Sequence, residues 1–219
     1  ITKKVYLNCH TYYSLRYGTF SELELLQLAK DHGVTQLALT DINNTSACLN
    51  FARKAPEYDV KPILGIDFRN GVEPCFVGIA KNNEGFLELN DFLSNHIHNE
   101  KKIPEIAPQF KHVLIIYPFE KVLQHEKKIF AEHEFIGVSV NELKRLRFSK
   151  LLEQRDKIVL LQPVTFRNKR DFNAHRLLRA IDNNTLLSML SVTEQADEDE
   201  KMYAVPNLAA HFSEHSFIL

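Results

Sequence analysis

The sequence is poor in the residues that break or replace a packed core. It has only seven glycines, eight prolines and no tryptophan in 219 residues, and no stretch is dominated by glycine or proline. Hydrophobic residues make up 44% and charged residues 25%, the balance of an ordinary globular chain. Disorder is therefore not the default, and a chain of this length can bury a core without disulfides or metal.

Other scarcities limit the class of protein. Cys9, Cys48 and Cys75 are too few and too irregularly spaced for a disulfide framework or a zinc ribbon. No run approaches the roughly 18–20 apolar residues of a membrane span, and the first residues lack the apolar segment of a signal peptide. The net charge of −1 gives no overall attraction to nucleic acid. We expect a cytoplasmic protein without membrane contact, and the apolar end at 217–219 indicates a cut through a longer chain.

Short apolar runs alternate with helix-period segments along most of the chain. The predicted strands are 5–7, 36–40, 61–68, 74–80, 112–117, 134–140 and 157–162. The predicted helices are 21–32, 46–55, 83–95, 118–126, 141–153 and 171–182. Ser21 and Glu24 have the spacing of a capping box, and Gly33 is placed to end the first helix. Repeated strand–helix units predict a mainly parallel α/β sheet. A closed or nearly closed β/α barrel is the first architecture, and an open doubly wound sheet is the alternative.

Polar side chains follow three of the predicted strands where the apolar pattern does not require them. His10, Asp41 and Asp67 come at the ends of the first, second and third strands. Since sites in both architectures form at the carboxyl ends of strands, these side chains are expected to meet at one rim. A histidine with carboxylates suits zinc, manganese or iron. The structural alternative is that Asp41 or Asn43 caps the helix beginning near Ser46, and that His10 is only a hydrogen-bonding residue.

Several stretches, in order, resemble the PHP domains of bacterial DNA polymerase III α subunits, most closely the Bacteroidetes type. They are Tyr6–Leu15, Gly33-Val34 with Leu37–Asp41, Lys61–Phe68, Ala80–Phe86 and Asp171–Ile181. Each motif is modest alone, but their order and spacing are specific. The resemblance implies a distorted seven-stranded β/α barrel of the PHP type, similar to a TIM barrel. It also implies a barrel mouth that holds metal ions for phosphoester hydrolysis in active members.

The chain departs from the ligand pattern that the resemblance implies. His10, Asp41 and Asp67 remain as a remnant of the metal site. The positions that have lost a ligand are Asn8, Tyr17, Ile42, Pro163 and Thr165. Isoleucine and proline side chains donate no lone pair, so too few ligands remain to offset the dehydration of a divalent ion. We therefore expect no metal, no other cofactor and no catalytic residue in this segment, with Mg²⁺ belonging to the parent polymerase.

The resemblance also implies a domain plan and partners. A barrel over 5–183 would be followed by 184–219, an acidic loop and a short C-terminal helix leading toward the polymerase body, with 195–201 in solvent. The chain would then be a structural and interaction module for DNA replication. Its partners would be the remainder of the polymerase chain and a proofreading exonuclease subunit, and the parent would contact DNA. The alternatives are a metal-dependent PHP phosphoesterase, either a 3′–5′ exonuclease or a pyrophosphatase, and an unrelated stand-alone β/α enzyme.

A cluster of cations follows the last predicted strand. Arg167, Lys169 and Arg170 lie where a loop at the barrel mouth is expected. Two carboxylates close together in a partly dry site raise a pKa or require a counter-charge. We predict that at least one of these cations lies within hydrogen-bonding reach of Asp41 or Asp67, in place of metal. The alternative is that all three point to solvent.

Overall fold

The alternation of strand and helix seen in the sequence is present in the computed structural model, which describes residues 5–124 and 129–218. The strands are β1 (Val5–Tyr6), β2 (Asn8–Cys9), β3 (Gln36–Leu39), β4 (Lys61–Asn70), β5 (Glu73–Ala80), β6 (Val113–Pro118), β7 (Glu134–Val138), β8 (Ile158–Leu160) and β9 (Pro163–Val164). The helices are α1 (Glu22–Asp31), α2 (Cys48–Lys54), α3 (Asn83–His98), α4 (Phe119–Gln124), α5 (Leu143–Leu146), α6 (Lys169–Asp182) and α7 (Val205–His211). Within the described ranges, none of these helices combines the length and apolarity needed to cross a membrane.

The strands form a ring. One sheet has the order β1-β3-β4-β5-β6-β7-β8, and β2 pairs separately with β9. Only Leu7 separates β1 from β2, and only Leu161 and Gln162 separate β8 from β9, so the β2–β9 pairing joins the two edges of the sheet. The predicted distorted, nearly closed seven-stranded β/α barrel is therefore confirmed, and the open doubly wound alternative is wrong.

Strand direction explains both the distortion of the barrel and the location of its rim. β5 runs antiparallel to β4 and to β6, whereas the other pairs are parallel. Gly71, with φ of 64°, makes the tight turn between β4 and β5 that this reversal needs. The parallel strands bring their carboxyl ends to one rim. We call this rim, which carries His10, Asp41, Asp67 and Thr165, the mouth.

Apolar side chains fill both faces of the sheet. Successive residues of a strand point to opposite faces. Leu37 and Leu39 accordingly join the large cluster that includes helix residues such as Leu25 and Phe51, while Ala38 joins a smaller one. The buried members of that smaller cluster are Ala38, Val77, Ile79, Ile116 and Leu161. They come from strands, or from the link between β8 and β9, around the ring. The smaller cluster therefore fills the barrel interior.

Local capping signals placed some helix ends correctly and missed one break. Ser21 and Glu24 make both bonds of a capping box at the start of α1, and Gly33 follows with φ of 72°. The predicted helix 141–153 is wrong as one element, because Ser149 is extended and its side chain accepts from the Leu151 amide, which starts a new turn. The predicted helix 118–126 is confirmed through residue 124, and its last two residues lie outside the described ranges.

The chain after α6 folds back over the barrel. Residues 194–201, which we call the strap, cross the mouth: the Ala196 amide donates to His175, and the Glu200 carbonyl accepts from the Thr165 amide. The predicted solvated loop over 195–201 is a loop with Asp197 and Glu198 exposed, but it is bound to the barrel and Ala196 is buried, so the prediction is wrong for that part. Beyond the strap, Leu208 and Phe212 are buried in the main core cluster. The boundary predicted between 183 and 184, and the direction toward a polymerase body, stay predictions.

Candidate functional site

Asp67 is the centre of the mouth. It lies on β4, is 1% exposed, and its Oδ2 accepts from His10 Nε2 at 3.0 Å and from Arg69 Nη2 at 2.7 Å and Nε at 3.0 Å. Burial raises the pKa of Asp67, but the charge of Arg69 and the hydrogen bond from His10 outweigh burial and bring it to about 2. Asp67 is therefore ionised throughout the neutral range.

Arg69 supplies the charge opposite Asp67. The two residues are two positions apart on β4, and their side chains meet although the pairing of β4 with β5 shifts register between Phe68 and Arg69. Arg69 Nη1 donates to the Tyr17 hydroxyl at 3.0 Å, and the guanidinium lies 5.0 Å from the centre of the Tyr17 ring. Burial lowers the pKa of Arg69, but Asp67 more than compensates and raises it above its ordinary value. Arg69 is not among the site residues predicted from the sequence, although it stands only two positions after Asp67.

His10 uses both ring nitrogens. Nε2 faces Asp67, and Nδ1 lies 3.0 Å from the Thr165 hydroxyl. Since an ionised carboxylate only accepts, Nε2 is the donor to Asp67. The Thr165 hydroxyl in turn donates to Glu200 Oε2 of the strap at 2.5 Å. Burial raises the pKa of Glu200, against the opposing charges of Arg69 and His10. A continuous polar chain therefore runs from Arg69 to the strap.

Asp41 also lies at the mouth, but its carboxylate is bound by the loop 11–14 and not by His10, Asp67 or Arg69. Its Oδ1 accepts from the Thr11 amide at 2.6 Å and the Ser14 hydroxyl at 2.7 Å, and its Oδ2 accepts from the Thr11 hydroxyl at 2.7 Å. Burial raises the pKa of Asp41 despite these bonds. A Cβ at Gly18 would lie 1.8 Å from the Thr11 carbonyl oxygen, so the close approach of this loop to itself requires glycine. The alternative that Asp41 or Asn43 caps the second helix is wrong, since α2 has no side-chain cap and the Asn43 side chain instead bonds the backbone of Arg69.

The five positions at which the family resemblance predicts a missing ligand have structural contacts. The Asn8 side-chain oxygen accepts from Thr40 at 3.0 Å, and Ile42 packs in an apolar cluster with Tyr17 and Phe166. The Tyr17 hydroxyl accepts a hydrogen bond from Arg69, and the Thr165 hydroxyl lies between His10 and Glu200 and bonds to both. Pro163 is the first residue of β9. All five positions, Asn8, Tyr17, Ile42, Pro163 and Thr165, therefore serve the barrel's own packing and hydrogen bonding.

The residues at the mouth do not fit the metal centre that the family implies. Within residues 5–124 and 129–218, no group of three or more His, Cys, Asp or Glu side chains is placed to hold a metal ion. Both nitrogens of His10 and both oxygens of Asp41 are occupied. Asp67 Oδ1 is buried without a hydrogen-bond partner in the described part of the chain. One open carboxylate oxygen beside a guanidinium is too little to replace the water shell of a divalent ion.

The cations predicted at the mouth lie elsewhere. Arg167 pairs with Asp171, Nε to Oδ2 at 2.6 Å, and with Glu24 at 2.5 Å, while Lys169 and Arg170 are exposed. That prediction is wrong. Asn168 caps α6, so the residues just after it belong to the first turn of a surface helix and point away from the barrel. The counter-charge comes from Arg69 instead.

His175 on α6 ties the strap to the mouth. Its Nδ1 donates to the Tyr17 carbonyl at 2.7 Å, and its Nε2 accepts from the Ala196 amide at 2.9 Å. These two bonds require a neutral ring. Burial lowers the pKa of His175 to about 4, and the Tyr17 carbonyl only partly opposes this. The sequence offered no signal that separated this histidine from the others.

The comparisons with known proteins identify the family of the chain. Residues 7–159 match the family model described as the PHP domain, and the chain belongs to that family. The DNA polymerase III subunit alpha of Ureaplasma parvum is 28% identical over 182 residues, which are 83% of this chain and 18% of that protein. The subunit of Staphylococcus aureus strain Mu50 is 29% identical over 193 residues, 84% of this chain and 17% of that protein.

The chain therefore spans less than a fifth of the length of these relatives. The prediction of a Bacteroidetes-type subunit stays a prediction. Among solved structures, an amidohydrolase from Chromobacterium violaceum aligns with a TM-score of 0.45 and 13% identity, covering 72% of this chain and 85% of that one. A TM-score that low does not assign a fold, and the architecture rests on the strand pairing itself.

Proposed function

We propose that this chain is the PHP domain of a DNA polymerase III α subunit, and that it acts as a structural and interaction module for DNA replication rather than as a hydrolase. Membership of the family and the similarity to α subunits over most of the chain support this proposal. Template-directed synthesis, its Mg²⁺ and contact with DNA would belong to the remainder of the polymerase. That remainder would be the first partner of the barrel, a proofreading exonuclease subunit a further one, and the cytoplasm the location.

The arrangement around Asp67 is the observation that carries the proposal. Metal-assisted hydrolysis needs an ion with an open position for water, held by several protein ligands. Here Asp67 is bound by Arg69 and His10, and Asp41 is bound by the loop 11–14. A guanidinium also repels a divalent cation at short range. The retained family residues therefore serve an internal hydrogen-bonded network.

Metal content and hydrolysis test the proposal together. After dialysis against Zn²⁺ and Mn²⁺ and removal of free ions, elemental analysis should find less than one ion per chain. The same protein should neither trim a labelled DNA 3′ end in Mn²⁺ nor hydrolyse pyrophosphate. A stoichiometric ion, with cleavage abolished by His10→Ala but not by the exposed control His98→Ala, would establish the phosphoesterase alternative instead.

A further inference from the structure

Residues 183–193, which follow α6, form an uncharged stretch on the surface of the molecule. The stretch contains no Asp, Glu, Lys or Arg, although 25% of all residues in the chain are charged. Single exposed apolar residues are ordinary in a folded protein, whereas a group of them marks an interaction site. Five large apolar side chains on α6 and on this stretch are more than half exposed, and we call them the apolar surface: Leu177, Ile181, Leu186, Met189 and Val192.

The stretch is fixed to α6 at both of its ends. The Thr185 amide donates to the Ala180 carbonyl at 2.9 Å, just after the helix ends. Arg179 of the same helix donates through Nε to the Glu194 carbonyl at 2.8 Å, just beyond the stretch. Residues 183–193 therefore return to the C-terminal half of α6, where Ile181 lies, and the apolar surface is one part of the molecular surface.

The stretch is also ordered between these two ends. The Met189 amide donates to the Leu186 carbonyl at 2.9 Å, and the Ser191 hydroxyl accepts from the Thr193 amide at 3.2 Å. These bonds close short turns that hold the apolar side chains in fixed positions. A surface that is already ordered loses little conformational entropy when another surface packs on it.

The composition of the apolar surface selects another protein surface as its occupant. Nucleic acids and anionic membranes attract proteins through Lys and Arg, and residues 183–193 have neither. The centre of a protein–protein interface is instead poor in charged residues and rich in methionine and other apolar side chains. The exposed Met189 within an uncharged stretch has this character.

We propose that the apolar surface is where the barrel docks against the remainder of its own polymerase chain. This inference rests on the proposed function, since it takes the chain as one domain of an α subunit. The α subunits named above have more than four fifths of their length outside the part that this chain matches. Domains joined in one chain meet at a high effective concentration, so a surface of modest size is enough to hold them together. A second copy of this chain would lack that advantage.

The accessibility of an introduced cysteine in the full-length parent chain tests this location. Cys9, Cys48 and Cys75 are buried, so within this part of the parent a thiol at an exposed position reacts first, and peptide mapping identifies it. The variants are Met189→Cys on the apolar surface and Leu87→Cys on α3, at side chains that are 72% and 60% exposed. The rate of modification by a neutral maleimide is measured for each variant in the folded parent and again in urea.

The two thiols should differ in the folded parent. Met189→Cys should react about tenfold more slowly there than in urea, because packing at an interface excludes the reagent. Leu87→Cys, the matched control, should react at nearly the same rate in both conditions, since its position lies outside the apolar surface. Should Met189→Cys not fold, Val192→Cys, at a side chain that is 78% exposed, carries the same expectation.

Each other outcome contradicts a stated part of the proposal. Equal protection of the two thiols in a parent that synthesises DNA overturns the docking location while the proposed function stands. Protection of Met189→Cys that disappears when the parent is diluted also overturns it, because a second copy then covers the surface. A parent that carries out no template-directed DNA synthesis contradicts the proposed function, and this inference falls with it.

Discussion

At the scale of single residues, the mouth is a set of buried polar groups whose hydrogen-bonding atoms are nearly all used. Asp67 holds three donor nitrogens within 3.0 Å on one oxygen, and Asp41 holds three donors from one loop. A buried polar group without partners costs stability, whereas a satisfied network fixes one arrangement. These residues therefore stabilise the barrel as one hydrogen-bonded network, and substituting one of them disturbs the hydrogen bonds of the others.

His175 makes the stability of the chain depend on pH. Its pKa is lowered to about 4 in the folded state, against about 6.5 in an unfolded chain. Between these values the unfolded state binds more protons, so stability is complete above about pH 6.5 and falls as the pH falls toward 4, by about 3 kcal/mol in all. Urea unfolding across this window should show the fall in wild type and a flatter profile in His175→Gln.

Comparing wild type with His175→Gln separates the effect of this histidine on stability from the effect of carboxylates that titrate in the same pH range. Replacing the exposed His98 by Gln should leave the wild-type profile unchanged. A His175→Gln profile as steep as that of wild type would mean that other groups set the pH dependence, and that the buried ring is not held neutral.

At the scale of secondary structure elements, side-chain caps mark the start of three of the described helices. Ser21 caps α1, Asn82 caps α3, and Asn168 caps α6 by accepting from the amides of Arg170 and Asp171 at 2.9 and 3.2 Å. These bonds satisfy backbone amides that have no partner within the helix. The cap of α6 matters for the mouth, since this helix carries His175 and Arg179 against Tyr17.

Asn168→Ala should therefore destabilise the chain by about 1 kcal/mol, the usual cost of losing an N-cap acceptor. Urea denaturation at neutral pH measures this directly. Asn168→Asp is the matched control, because it keeps the acceptor and adds a charge that favours a helix N-terminus. Equal loss in both variants would show that the residue matters for some reason other than capping.

At the scale of the whole molecule, the segment after α6 belongs to the same core as the barrel. The Tyr6 hydroxyl accepts from the Tyr203 amide at 2.8 Å and donates to its carbonyl at 2.9 Å, which fixes the segment to β1. Met202, Leu208 and Phe212 lie in the main cluster with residues of α1 and β3. We therefore expect barrel and segment to unfold together.

Phe212→Ala tests this expectation. Phe212 is fully buried, so its truncation should cost about 3–5 kcal/mol. The whole chain should still melt in one transition, followed by circular dichroism, at a lower temperature. Leu187→Ala, at a side chain that is 41% exposed, should stay within about 0.5 kcal/mol of wild type. A barrel transition unmoved by Phe212→Ala would instead favour a separate unit beyond residue 183.

The features that depend on neighbours along the chain could be predicted from the sequence. The period of apolar residues placed β3 and α6, the spacing of Ser21 and Glu24 placed the start of α1, and ordered motifs pointed to the PHP family, which residues 7–159 match. Each of these is a local signal, because a helix turn, a cap or a strand end is set by residues a few positions apart.

The cation that faces Asp67 and the segment that covers the mouth could not be predicted, because both depend on contacts between distant parts of the chain. Arg167, Lys169 and Arg170 were the predicted cations, yet Arg167 pairs with Asp171 and the other two are exposed, while Arg69 of β4 pairs with Asp67. Glu200 reaches Thr165 across 35 positions, and Ala196 reaches His175 across 21. Such contacts are invisible to local patterns, because closing a ring of strands brings together side chains whose distance along the chain carries no information about their distance in space.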